Sequence, residues 1–205
     1  MERGKFILIL GNMFAGKTEE LINRLVRSRE YKHKIVCAFK PAKDTRSGTG
    51  LLKTAKDVTF PAIDILEGDA YEILKKIKLR EWEIGRKLDV VGIDEVQFFS
   101  CNIYQVIDHL LNNGYDVIAA GLKLDFRGEP FPHSVSLLGL VETTYDLLLL
   151  TSCCKICGEE AQLPQRIIDG KPAKYSDAVE LVGGAECYEA RCHKHHELPE
   201  KPPTA

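Results

Sequence analysis

The sequence predicts an α/β protein: a mostly parallel sheet with helices on both faces, followed by a small module at the C-terminal end. Three observations carry the prediction. Apolar runs of strand length alternate with amphipathic helical stretches up to Leu150, the pattern of a sheet covered on both sides. A glycine-rich loop stands between the first such strand and the first helix. Five of the seven cysteines fall in the last quarter of the 205 residues.

Phe6-Ile7-Leu8-Ile9-Leu10 reads as a buried strand, and the helical stretch Thr18 to Val26 puts Leu21, Ile22, Leu25 and Val26 on one face. Between them, Gly11-Asn12-Met13-Phe14-Ala15-Gly16-Lys17-Thr18 has the G-x-x-x-x-G-K-T spacing that wraps backbone around a polyphosphate. Glycines at both ends let successive N–H groups point inward, Lys17 reaches the β/γ oxygens, and the Thr18 hydroxyl can ligate Mg²⁺. A glycine loop that merely turns the chain is the weaker reading, because strand, loop and helix stand in the required order.

Lys34 to Phe39 is a second strand, and Lys40 to Arg46 is a loop on the ligand side of the sheet. Residues 47 to 60 read as a mobile arm or hairpin over the site, and Asp69 to Glu83 as a helix with Ile73, Leu74 and Ile77 on one face. Leu88 to Ile93 is a third strand that ends in Asp94-Glu95, the placement a phosphate-loop protein uses to hold Mg²⁺. A solvated acidic turn is the alternative. Ile103 to Asn112 is a helix capped near Gly114, Tyr115 to Ala120 a fourth strand, and Leu147 to Leu150 a fifth. Phe126, in the loop after the fourth strand, is placed either to stack on a flat ligand or to fill core.

Seven cysteines without a secretory leader favour metal over a disulfide framework. Cys154-Lys155-Ile156-Cys157 and Cys192-His193-Lys194-His195 form two knuckles separated by 34 residues, a spacing that suits tetrahedral zinc. Cys154, Cys157, Cys192 and His195 would close the site and leave no open position, so its role is structural. Cys153 could replace Cys154, and His193 or His196 could replace His195. The expected boundaries are 1–151 for the nucleotide-binding core, 152–196 for the zinc module and 197–205 for a disordered tail. A hydrophobic fraction of 44% supports a real core, and a formal net charge of −2 favours neither nucleic acid nor membrane as partner. With no long apolar run and no signal-peptide pattern, a cytoplasmic location is expected.

These pieces resemble the type II (cytosolic-type) thymidine kinase family over residues 5 to 196. The resemblance is carried by the Gly11–Thr18 loop, Phe39-Lys40-Pro41-Ala42-Lys43-Asp44-Thr45-Arg46, Ile93-Asp94-Glu95-Val96-Gln97-Phe98-Phe99, Asp125-Phe126-Arg127-Gly128-Glu129-Pro130-Phe131, and Val182-Gly183-Gly184-Ala185 with Tyr188. It implies a RecA-like phosphate-loop core and a zinc-stapled lasso over a deoxynucleoside. The implied activity moves the γ-phosphate of ATP to the 5′-hydroxyl of thymidine or deoxyuridine. Glu95 would be the base; Lys17, Thr18 and Asp94 would handle ATP phosphates and Mg²⁺, with Val96 and Gln97 on the cofactor side; Arg46 and Asp44 would sit near the phosphoryl acceptor. Met13, Phe98, Leu122 and Phe126 would line the base pocket, Leu181, Val182, Gly183, Gly184 and Ala185 would read the base edge through backbone, and Tyr188 would contact the nucleoside. Homotetramers and feedback inhibition by thymidine triphosphate are also implied.

Three positions depart from the family pattern. Leu52-Lys53-Thr54-Ala55-Lys56-Asp57 replaces a Ser-His-Asp-like stretch, Pro164 stands where threonine usually faces the thymine methyl, and Lys123 follows Gly121-Leu122 where some members have aspartate. Two readings from other classes remain at this point: an ATP-switched binding protein with a structural zinc unit, and a zinc-ribbon nucleic-acid module. The first would need no aromatic-lined pocket after the fourth strand. The second has only the knuckles in its favour.

Overall fold

The computed structural model describes residues 2–44, 48–100, 102–143, 146–179, 183 and 186–203. Strand β1 (Phe6–Gly11) leads through the glycine loop into helix α1 (Lys17–Glu30). Then come β2 (Val36–Pro41), the hairpin of β3 (Leu51–Lys53) and β4 (Thr59–Pro61), β5 (Ile63–Ile65) and α2 (Ala70–Ile84). The core continues with β6 (Val90–Ile93), α3 (Ile103–Asn112), β7 (Asp116–Leu122), the short α4 (Pro132–Ser136) and β8 (Leu147–Leu150). Six strands form one sheet in the order β5-β2-β6-β7-β1-β8, and every pairing is parallel. All five expected strands are present. The sixth, β5, is three residues long, too short for an alternating pattern to be read.

The pleat explains the layers. Phe6, Leu8 and Leu10 of β1 and Val117 and Ala119 of β7 point to one face, where they pack with Ile73 and Ile77 of α2 and Ile103, Val106 and Ile107 of α3. Ile9, Ile118 and Ala120 point to the other face and meet Leu21, Ile22 and Leu25 of α1. Leu52 and Phe60 of the β3–β4 hairpin join this second cluster, so residues 51–61 are a docked hairpin rather than a loose arm. Helix α1 lies so close to the sheet that a Cβ on Gly92 would come within 2.7 Å of a Leu25 methyl. The helix ends follow local chemistry: the Asp69 carboxylate accepts from Tyr71 N at 3.0 Å, and Gly85 (φ 66) terminates α2.

Beyond β8 the architecture changes. β9 (Ser152–Cys153) pairs with β10 (Glu160–Ala161), and β11 (Leu163–Ile168) is flanked by β12 (Lys171–Pro172) and β13 (Tyr188–Arg191), all antiparallel. The apolar cluster beneath the first of these pairs is Cys154, Ala161 and Ala190, with Cys192 against it. The chain after residue 196 makes contacts that its composition does not announce: Leu198 packs against the Met13–Phe126–Tyr188 cluster, and the Pro199 carbonyl accepts from Tyr175 N at 2.9 Å. Among the described residues no helix is long and apolar enough to cross a membrane.

Candidate active site

The site lies at the C-terminal ends of β1, β2, β6 and β7, where a parallel sheet opens its crevice. In the glycine loop, Gly16 adopts a left-handed conformation (φ 79) that starts α1. Gly11 is required for a different reason: a Cβ there would lie 2.5 Å from the Leu150 carbonyl oxygen of the neighbouring strand. Buried Asn12 braces the loop from inside, its Oδ1 accepting from Met13 N at 2.7 Å and its Nδ2 reaching Ser152 Oγ at 3.4 Å. Lys17 is nearly buried and donates to the Asn12 carbonyl at 2.7 Å. Phe14 and Ala15 complete the loop, with Phe14 half exposed on the cleft side.

Asp94 and Glu95 follow β6 directly and both are buried. The Thr18 hydroxyl donates to Asp94 Oδ2 at 2.9 Å, which joins the two oxygen groups that a Mg²⁺ site in this fold uses. Burial, and then the Glu95 carboxylate beside it, push Asp94 up to about 7, against the pull of Thr18, the Glu95 N–H and Lys17. Two adjoining buried carboxylates with a hydroxyl beside them make a hard oxygen donor set, and a divalent cation fits it.

Glu95 itself sits at φ 51, a left-handed conformation unusual for a residue with a Cβ. Gln97 holds its head: Nε2 donates to Glu95 Oε2 while Oε1 accepts from Leu122 N at 3.0 Å. Val96 is fully buried in the hydrophobic core, so its side chain does not face the cleft. Asp44 is buried beyond β2, and its carbonyl, like that of Gly48, accepts from the buried Lys40 ammonium, at 2.9 and 2.7 Å. Arg46, Leu181, Val182, Gly184 and Ala185 lie outside the described residues.

Two cavities meet at this point. One is lined by Met13, Phe98, Leu122, Phe126, Phe131 and Tyr188, with Glu95, Leu124, Asp125, Pro164, Val179 and Gly183 completing it. The other, about 650 Å³, runs along Phe14 to Glu19 and the hairpin residues 53–57. Met13, Glu95 and Leu122 belong to both walls. Every described residue expected at a base pocket is therefore gathered in the first cavity. Leu124, Phe131 and Val179 were not foreseen as lining residues; Phe131 lay inside a quoted motif, whereas a lone valine such as Val179 carries no signal at all.

Farther out, one ligand atom from each of Cys154, Cys157, Cys192 and His195 lies within 4.8 Å of all the others. Cys157 Sγ and Cys192 Sγ are 3.8 Å apart, and His195 Nδ1 is 3.7 Å from Cys154 Sγ. Tetrahedral zinc with Zn–S of ~2.3 Å sets sulfurs ~3.8 Å apart, so the donor set fits that metal. Of the alternative ligands, Cys153, His193 and His196 are not part of this cluster. His196 instead donates through Nε2 to the Phe126 carbonyl at 2.9 Å, and Cys153 is exposed on β9.

The described geometry has matching relatives. A family model described as "Thymidine kinase" matches residues 4–196. A protein named "Thymidine kinase" from Coprothermobacter proteolyticus is 45% identical over 194 residues, covering 95% of this chain and 91% of that one. Others of the same name come from Thermococcus kodakarensis, 41% identical with 98% of each chain covered, and Mycoplasmoides gallisepticum, 42% identical with 95% of this chain and 81% of that one covered. With a nucleotide loop, a buried carboxylate pair and an aromatic pocket on one sheet edge, and with these matches along nearly its whole length, the chain belongs to the thymidine kinase family.

Proposed function

We propose that the chain transfers the γ-phosphoryl group of ATP to the 5′-hydroxyl of thymidine, and of deoxyuridine, to give the nucleoside monophosphate. The observation that carries this reading is the place of Glu95 on the wall shared by the phosphate-loop cleft and the aromatic pocket. A base there reaches the acceptor hydroxyl on one side and faces the donor phosphate on the other. Glu95 accepts the hydroxyl proton as the 5′-oxygen attacks the γ-phosphorus and the bond to the ADP oxygen breaks. Phosphoryl transfer asks mostly for positioning and charge stabilisation, which the loop amides and Lys17 supply. Thr18 and Asp94 would hold Mg²⁺, which when bound neutralises phosphate charge. Asp44 and Arg46 are assigned to the acceptor side, and Leu181 to Ala185 to the base edge.

The ATP-switch alternative gains nothing from the aromatic pocket, since a switch protein has no use for a ligand slot that opens on its carboxylate. We also assign a structural zinc to the Cys154, Cys157, Cys192 and His195 set, with residues 152–196 as the nucleoside-side module and 1–151 as the phosphate-side core. A homotetramer, feedback inhibition by thymidine triphosphate and a cytoplasmic location complete the reading. Leu149, exposed on the edge strand β8, supports assembly through that edge.

The test is turnover with Mg·ATP and each common deoxynucleoside. Backbone readout predicts that thymidine and deoxyuridine are used and deoxycytidine is rejected by roughly 10²- to 10⁴-fold in kcat/KM, because its edge reverses both hydrogen bonds. Pro164 lines the pocket where the methyl would sit, and one methyl tunes selection by only ~1–3 kcal/mol, so the thymidine preference over deoxyuridine is modest. Deoxycytidine within tenfold of thymidine would overturn the readout, and no monophosphate from any nucleoside would overturn the kinase.

A further inference from the structure

Among the described residues, Arg166 heads the largest fully buried side chains, and it sits directly behind the aromatic pocket without lining it. It comes from β11, opposite Tyr188 of β13 in the antiparallel register. Its Nε and Nη2 both donate to the Tyr188 hydroxyl, at 3.0 and 2.6 Å. Nη2 also donates to the Val179 carbonyl at 2.5 Å, and Nη1 donates to the Ala178 carbonyl. The guanidinium carbon lies 4.1 Å from the centre of the Phe126 ring.

We propose that Arg166 is a positioning residue for the nucleoside: one guanidinium sets the places of Phe126, Val179 and Tyr188, three pocket walls from three separate segments. This rests on the reading of the aromatic pocket as the nucleoside site. The chemistry explains why arginine is needed. Its planar fork can serve acceptors in several directions at once while its face stacks on an aromatic ring, whereas a lysine ammonium is a point charge with three donors and no face. The described acceptors are neutral, two carbonyls and a phenol, so the group works by geometry and not by neutralising a partner. Fixing Phe126 from behind holds the face on which a flat base would rest.

The experiment compares Arg166→Lys and Tyr188→Phe with the unmodified protein, measuring kcat, both KM values and bound zinc. Arg166→Lys should raise the thymidine KM by roughly 10²-fold, with kcat, the ATP KM and the zinc content within about threefold. Tyr188→Phe keeps the ring in the pocket and removes only the shared hydroxyl, so it should raise the thymidine KM by roughly 10-fold, and the double variant by less than the product of the two. A thymidine KM within about twofold of the unmodified value in both variants would overturn the positioning role while the kinase reading stands. Multiplying effects in the double variant would overturn it as well, because the two groups would then act independently. If Arg166→Lys also loses zinc or ATP affinity, Tyr188→Phe decides alone: a selective rise in thymidine KM supports the proposal, and an unchanged one refutes it. Absence of thymidine turnover in the unmodified protein would instead sink the reading on which the proposal stands.

Discussion

The sheet core and the C-terminal module hold their half of the site by different physics. In the core, Asp94, Glu95 and Leu122 stand at the ends of strands, and Lys17 at the start of α1, all placed by ladder hydrogen bonds and two continuous apolar clusters. In the module, the cluster of Cys154, Ala161 and Ala190 is small, and its segments meet through the Cys154, Cys157, Cys192 and His195 group, whose donor set fits zinc, and through a few long polar side chains. Besides Arg166, Gln165 exchanges hydrogen bonds with both the carbonyl and the N–H of Glu197, at 2.9 and 2.7 Å, and His196 reaches across to Phe126. The core half is thus placed by its strand ladder and apolar packing, and the module half by ties between side chains and backbone. A small module of this kind stands or falls by its staples, whereas the core can absorb single losses.

Removing the metal is the strongest way to break the comparison. Structural zinc binding of ~10 kcal/mol is also folding energy, so chelation or Cys192→Ser should lower thymidine turnover by 10³-fold or more while ATP affinity stays within about threefold. Metal analysis with calorimetric ATP binding checks it; parallel loss of ATP binding would mean the two regions are one cooperative unit. Next in size is Glu95→Gln, expected to lower kcat by roughly 10²-fold or more with zinc content and ATP affinity unchanged. Near-normal single-turnover rates would remove Glu95 from the role of base.

Gly92→Ala probes the opposite region. Its new methyl would press on Leu25 between α1 and the sheet, an overpacking that costs ~1–3 kcal/mol. Thermal unfolding of the core should fall accordingly, with zinc affinity unmoved. The last effect is alkaline and is confined to high pH. Burial pushes the Cys37 thiol up to about 11 from 9.0, so the unfolded chain ionises first. Stability is therefore full below pH 9 and is lost as pH rises toward 11. Cys37→Val should remove up to ~2–3 kcal/mol of that loss, seen as a flatter pH dependence of the unfolding midpoint across this window. An unchanged slope would show that the core yields to alkali elsewhere.

The same contrast decides what could be read from the sequence. The core was legible because burial leaves a pattern, a continuous apolar run in β1, β6 and β7 and a helical period in α1 and α3, and the loop and the Asp94-Glu95 ending have fixed offsets from those elements. The cluster of Cys154, Cys157, Cys192 and His195 was legible because its members stand in two short knuckles, each with two residues between its ends. Three things were not. Strand β5 is too short to alternate, Leu198 contacts the pocket cluster from a proline-rich stretch with no pattern, and Arg166 looks like any surface arginine in one dimension. What makes it interior is a set of acceptors 12, 13 and 22 residues away in the chain, which no local window contains.

The backbone of Glu95 has a consequence for anyone evolving this protein. A side chain held at φ 51 costs roughly 1–2 kcal/mol that glycine would not incur, and its carboxylate adds repulsion to Asp94. Apart from the hydrogen bond from Gln97, glutamate thus carries a cost at that position that its proposed role as base would justify. A library sorted on heat resistance alone should drift toward glycine or asparagine there, and its most robust survivors would be inert. Selection for robustness in this fold should carry an activity screen at every round, because the proposed base sits on a residue whose backbone conformation thermal selection disfavours.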